Sequence, residues 1–265
     1  MDLGLADARV VITGGASNIG RGIVHQFAAE GARIVLNDID EPQAEKVKAE
    51  ALELGAAAVE LAIADLTTPE GGEAAVGTAV EHWGGIDVLV NNAGWSVPGF
   101  IATDTDRDKW QRTIEINLFS AIAATQAAIG PMKEGGGGSI VFIASDAAFG
   151  QIRQGVYGAS KAAMVALART AAREHGRHGI RSNIVCPGLV IPESPDAVGA
   201  ASLWSVGQDE VFNPKQIEFM LKDTPTRKLT TAHDVGNAVL FFASPVAAGQ
   251  VTGQLISVSG GYTMP

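Results

Sequence analysis

Tyrosine occurs twice in this 265-residue chain, and one of the two stands four residues ahead of a lysine in Tyr157-Gly158-Ala159-Ser160-Lys161. Residues i and i+4 share a helix face, so this spacing sets an ammonium beside a phenol. A cation about 4 Å away, at an effective dielectric near 20, is worth about 4 kcal/mol, or about three pK units. That is expected to bring the phenol from about 10 to near 7, the range a general acid/base needs.

A second constellation lies near the N-terminus. Thr13-Gly14-Gly15-Ala16-Ser17-Asn18-Ile19-Gly20 follows an apolar run and leads into a helical pattern. Glycines there permit a tight turn and let backbone N–H groups approach a pyrophosphate at the helix N-terminus. The next apolar run ends in Asn37-Asp38, eighteen residues after Gly20. A carboxylate at that place can accept hydrogen bonds from both adenosine ribose hydroxyls and would repel a 2′-phosphate. No Lys or Arg occupies Ser17 or Ile39 to offset that repulsion, so NAD is expected rather than NADP. Asp65, in Ala64-Asp65-Leu66, is placed to bond the adenine amino group. Asn91, in Asn91-Asn92-Ala93-Gly94, is placed to bond backbone and tie neighbouring strands.

These groups need a scaffold that brings distant segments together. Apolar, β-branched runs occur at Arg9–Ile12, Arg33–Leu36, Val59–Ile63, Ile86–Val90, Ser139–Ile143, Ser182–Val185 and Gln254–Val258. Helical periodicity fills most of the intervals, as in Ile19, Ile23 and Phe27 ahead of Gly31, or in the segment from Glu41 to Leu54 ahead of Gly55. Strands apolar throughout and separated by helices predict a doubly wound, Rossmann-type parallel sheet of seven strands with helices on both faces, in a single domain spanning 1–265. The segment 188–226 breaks the rhythm, with Pro192, Pro195, Pro214 and Pro225 among apolar residues such as Leu203, Trp204 and Phe212. A long apolar insert after the sixth strand is expected to cover the carboxyl edge of the sheet as a substrate lid.

Composition removes several classes. Net charge is −10, without a basic stripe, which disfavours nucleic-acid binding. One cysteine, Cys186, excludes an intramolecular disulfide. His175 and His178 have no third ligand nearby in sequence, so no metal site is expected. The first residues lack a signal-peptide pattern and no 18-residue apolar stretch occurs, so a cytoplasmic protein without membrane contact is expected.

Taken in order, these motifs resemble the short-chain dehydrogenase/reductase family, from the first strand to Val258-Ser259-Gly260-Gly261-Tyr262. The family's Thr-Gly-x-x-x-Gly-x-Gly is matched at Thr13, Gly14 and Gly20, and its Asn-Asn-Ala-Gly at Asn91 to Gly94. The resemblance implies a catalytic set of Asn117, Ser145, Tyr157 and Lys161. Tyr157 would exchange the proton with the substrate oxygen and Ser145 would hold that oxygen. Lys161 would bind the nicotinamide ribose and Asn117 would hold a relay water. Gly14, Ser17, Asn18, Ile19, Gly20, Asp38, Ile39, Asp65, Leu66, Asn91, Ala93, Gly94, Pro187, Gly188 and Val190, together with Tyr157 and Lys161, would hold NAD.

Three positions depart from the family pattern. Asn18 replaces the usual second glycine, which a left-handed asparagine tolerates. Ser145 and Tyr157 are twelve apart, one fewer than usual, and Pro192 stands where a threonine commonly bonds the carboxamide. The expected activity is NAD-dependent oxidation or reduction of a hydrophobic secondary alcohol or ketone, with Trp95, Phe149, Trp204 and Phe212 near the pocket. Alternatives are a carrier-protein or hydroxyacyl-CoA ketoreductase and, in another class, a non-catalytic NAD-binding regulator. A homotetramer is expected, built on Arg107–Met132, Tyr157–His178 and the last strand.

Overall fold

The computed structural model describes residues 2–207 and 211–265. Seven strands form one parallel sheet in the order β3-β2-β1-β4-β5-β6-β7. They are β1 (Arg9–Thr13), β2 (Arg33–Asp38), β3 (Ala58–Ile63), β4 (Val88–Asn91), β5 (Gly138–Ile143), β6 (Ile180–Pro187) and β7 (Leu255–Val258). Each coincides with one of the seven apolar runs. The sixth extends further than its run at both ends, because Ile180 and Arg181 pair with β5 and Cys186 and Pro187 pair with β7.

The helices are α1 (Asn18–Ala29), α2 (Glu41–Glu53), α3 (Pro69–Trp83), α4 (Arg107–Ile114), α5 (Ser120–Glu134), α6 (Gly155–His175), α7 (Pro214–Asp223) and α8 (Ala232–Ala243). One face of the sheet buries Ile23 and Phe27 of α1, Val47 of α2 and Val239 of α8. The other buries Val76 of α3, Ala124 of α5 and Met164 of α6. Burial on both faces explains why the strands read as continuous apolar runs rather than alternating ones.

Helix starts follow local chemistry. Asp40 caps α2 by accepting the Gln43 N–H at 3.2 Å, and Thr68 caps α3 by accepting that of Gly71 at 3.2 Å. The segment 188–226 is not a continuous loop. It contains short 3-10 turns at Pro195–Ala197 and Leu203–Val206, then α7, opened by a capping box between Asn213 and Gln216. Among the described residues no helix is long and apolar enough to cross a membrane.

Candidate active site

Strand order reverses between β1 and β4, and the crevice at such a switch point is where open α/β sheets bind ligands. A cleft of about 710 Å³ opens there, running from Asp38 and Asp65 past the glycine-rich turn to Tyr157 and Lys161.

The first end is built largely from backbone. Gly14 has φ of +60°, and a Cβ on it would stand 3.0 Å from the Ala93 Cα. A Cβ on Gly20 would fall 1.9 Å from the Gly14 carbonyl oxygen, so helix α1 can meet the turn only through a glycine. Asn18 takes φ of +43°, the left-handed backbone expected of it, and its amide donates to the Val190 carbonyl at 3.2 Å. Asn92 donates its side-chain N–H groups to the Thr13 and Gly14 carbonyls, both at 2.9 Å, and so fixes the turn. Thr13 Oγ1 accepts from the Asn92 and Ala93 backbone N–H groups. The Asp38 carboxylate accepts backbone N–H groups of Ala16, Ile39 and Asp40. Burial raises its pKa, and those three bonds oppose the rise.

The second end depends on side chains from distant segments. Lys161, in the second turn of α6, is 3% exposed and donates to the Ile143 carbonyl at 2.9 Å. Burial lowers its pKa to about 8. Its Nζ lies 5.8 Å from the centre of the Tyr157 ring. Burial raises the Tyr157 pKa, while a side-chain hydrogen bond with Ser145 acts in the opposite direction. The phenol expected near 7 is therefore not found: burial pushes it the other way. The i, i+4 spacing delivers the neighbour, but low polarity penalises phenolate and ammonium alike, and the lysine turns to a carbonyl. Ser145 ends the segment after β5 and accepts the Ala147 N–H at 3.1 Å, which orients its hydroxyl.

Asn117 is fully buried in a π turn, Glu115–Phe119, between α4 and α5. Its side chain accepts from the Trp95 N–H at 2.7 Å and donates to the Trp95 carbonyl and the Ser160 hydroxyl. It thus ties the segment after β4 to α6. A Cβ on Gly94 would lie 3.2 Å from Lys161 Nζ and 3.5 Å from Asn117 Oδ1, so glycine lets these groups approach.

The cleft is lined by Gly14, Ser17, Asn18, Ile19, Gly20, Asp38, Ile39, Asp65, Leu66, Ala93, Gly94, Tyr157 and Lys161. Asn91 is not among its lining. Its side chain donates to Thr125 Oγ1 on α5 at 3.0 Å, because alternate residues of a strand face opposite sides. The neighbouring Asn92 bonds the Thr13 and Gly14 carbonyls, so the backbone-tying role expected of Asn91 falls one residue later. Pro187, Gly188 and Val190, where β6 ends, are not among the lining either, nor are Asn117 and Ser145; Val190 meets it through its carbonyl, which accepts from Asn18. Trp95 and Trp204 reach the cleft. Phe149 and Phe212 do not, Phe212 stacking on Trp204 with ring centres 6.0 Å apart. Arg112, which sequence reasoning passed over, also lines the cleft and holds its guanidinium 5.2 Å from the centre of the Trp95 ring.

A glycine-rich first turn, a carboxylate ending β2 and a Tyr–Lys pair at the far end of one cleft define a dinucleotide-type oxidoreductase architecture. A family model described as enoyl-(acyl carrier protein) reductase matches residues 14–263. The chain is 37% identical over 264 residues, 99% of each chain, to the hydroxy(phenyl)methylsuccinyl-CoA dehydrogenase subunit BbsD of Thauera aromatica. It is 35% identical over 262 residues to D-beta-hydroxybutyrate dehydrogenase of Rhizobium meliloti (strain 1021), covering 96% of this chain and 97% of that one. A solved 7 alpha-hydroxysteroid dehydrogenase, complexed with NADH and 7-oxo glycochenodeoxycholic acid, superposes with a TM-score of 0.86 at 34% identity, covering 98% of this chain and 96% of that one. The chain belongs to the short-chain dehydrogenase/reductase family of oxidoreductases.

Proposed function

We propose that this protein is an NAD-dependent dehydrogenase or reductase acting on a hydrophobic secondary alcohol or ketone. The observation that carries the reading is one continuous cleft with Asp38 at one end and the Tyr157–Lys161 pair at the other. The donor set fits NAD. Gly14 and Gly20 keep the turn free of side chains where α1 begins, Asp38 presents a carboxylate for ribose hydroxyls, and Ser17 and Ile39 add no cation for a further phosphate. NAD bound there would supply the site that accepts or returns the hydride.

The chain's own residues do the rest. Ser145 donates a hydrogen bond to the substrate oxygen and shares its other contact with the Tyr157 hydroxyl. Tyr157 takes the hydroxyl proton during oxidation and returns it during reduction. Lys161 stabilises the phenolate once a ligand draws its ammonium toward the ribose side of the cleft. Asn117 holds the Trp95 segment and α6 in register around them, and its fully committed side chain makes it a positioning residue. Gly14, Ser17, Asn18, Ile19, Gly20, Asp65, Leu66, Ala93 and Gly94 form the cofactor wall, backed by Pro187, Gly188 and Val190. Trp95 and Trp204 give the substrate side its apolar and aromatic character. A hydroxyacyl-CoA substrate is the second reading, favoured by the BbsD relative, whose name specifies a CoA thioester.

The segment 188–226 serves as the lid of this single domain. The exposed Ala162 and Ala166 on α6 and the half-exposed Phe119 support a homotetramer. Ala121, Ala124 and Ala128 on α5 are core residues packed toward α3, where Gly72 admits α5 closely, and so are not part of that surface. The protein is placed in the cytoplasm. A panel of secondary alcohols and hydroxyacyl-CoA thioesters, offered with NAD and followed at the nicotinamide absorbance, tests the reading. Absence of turnover across the panel by folded, NAD-binding protein counts against it.

A further inference from the structure

The stretch from Asp196 to Ala200 is stitched to the glycine-rich turn and to α2, at the Asp38 end of the cleft. The Gly199 N–H donates to Ser17 Oγ at 2.9 Å, and the Ala200 N–H donates to Asp40 Oδ2 at 2.7 Å. The Asp196 carbonyl accepts from Gln43 Nε2 at 3.2 Å and from Lys46 Nζ at 3.0 Å. Ser17 and Asp40 flank Asp38, which ends β2, and Ile39, and both of these line the cleft. The approach is close: a Cβ on Gly199 would stand 2.3 Å from Asp40 Oδ2 and would have to push that carboxylate aside. Beyond this point Ala201, Ser202, Leu203 and Trp204 continue along the cleft wall.

We infer that this strap selects the cofactor by space, closing the corner beside Asp38 against a dinucleotide that carries a phosphate on its adenosine ribose. The inference rests on the reading that the cleft takes a dinucleotide with its ribose at Asp38. A hydroxyl needs only the acceptors already present. A phosphate needs room for three further oxygens, and that room is occupied by the Gly199–Ala200 backbone, seated on Ser17 and Asp40. Lys46, a cation on α2, is engaged with a strap carbonyl. Asp38 therefore discriminates by charge, and Asp40, through the strap, by volume.

The two effects are separated by a Gln43→Ala/Lys46→Met double variant. Both residues sit on α2 outside the cleft wall, and their side-chain hydrogen bonds to the strap go to the Asp196 carbonyl. Charge alone argues that losing Lys46 weakens binding of the more anionic NADPH. Release of the strap argues the reverse. Dissociation constants for NADH and NADPH are measured by nicotinamide fluorescence on purified protein without substrate, with chymotryptic nicking at Leu203 and Trp204 as a second readout. The expected result is a fall in the NADPH constant of about fivefold or more, a change in the NADH constant under about twofold, and faster nicking. Ser17→Ala, which removes the other stitch, should also tighten NADPH relative to NADH. An unchanged or raised NADPH constant in the double variant overturns the strap's role, with wild-type preference for NADH intact. Wild-type protein that binds neither dinucleotide, or both equally, overturns the proposed cofactor choice and the strap's role with it.

Discussion

The two ends of the cleft solve opposite problems. At the glycine-rich end the polar side chains already have partners: Asp38 holds three backbone N–H groups, and Asn92 pins two carbonyls. At the Tyr157 end two ionisable groups are held where neither favours its charge. Burial drives the lysine down to about 8 and the tyrosine above its ordinary value. A binding surface gains from being satisfied in advance, since ordering costs are then met on folding. A reacting centre gains from groups whose charge becomes favourable only when the ligand arrives.

The contrast can be broken most sharply at Tyr157. Tyr157→Phe keeps the ring and removes the oxygen, so turnover should fall by roughly 100-fold or more while NADH binding persists. Near-normal turnover from the folded variant would reject the chemistry assigned to that end. Asp38→Ala addresses the other end. The ratio of catalytic efficiencies with NAD and NADP should fall by about tenfold, with turnover on NAD changed less than its KM. An unchanged ratio would show that Asp38's bonds to Ala16, Ile39 and Asp40 are its entire role.

Lys161 sharpens the comparison through stability. Its folded pKa, about 8, lies below its ordinary value of 10.5, so between those values the unfolded chain binds more protons than the folded one. Its contribution to stability therefore improves as pH rises from about 8 to about 10.5, and the full penalty is present below about 8. That penalty is on the order of 3 kcal/mol. Lys161→Met should abolish turnover, raise the ligand-free Tm at pH 7 by several degrees and remove this rise of stability with pH. A lower Tm would mean that the bond to the Ile143 carbonyl outweighs the buried charge. The smallest effect is expected at Asn92. Asn92→Ala removes two bonds to the turn, costing about 1–3 kcal/mol, and should weaken NADH binding more than it alters turnover.

The difference between the ends also governs what the sequence reveals. The glycine-rich turn and Asp38 belong to consecutive elements, so strand, turn, helix and strand can be read in one pass. Seven apolar runs likewise announce seven strands, because burial on both faces leaves no alternation to confuse them. The choice between Asn91 and Asn92 was not legible, since it depends on which residue of β4 faces the turn, and one step of register inverts the answer. The Tyr157 pKa was out of reach for another reason: spacing names the neighbour but not the medium around it. The seat of the strap was not legible on similar grounds. Proline and apolar content mark a covering segment at 188–226, whereas its seat on Ser17 and Asp40 is fixed by backbone N–H groups that any residue supplies.

The π turn at Glu115–Phe119 sets a matter of phase. Helices α4 and α5 follow each other without a break, yet the wide turn makes them two rods slightly out of step. Deleting one residue from it would heal the i→i−4 ladder and rotate everything on one side by about 100° relative to the other. Either Thr113, buried on α4, or Ala121 and Ala124, buried on α5, would then swing away from their neighbours. The fault line in the rod is thus the condition for two packings to hold at once, with the asparagine standing in the gap between them.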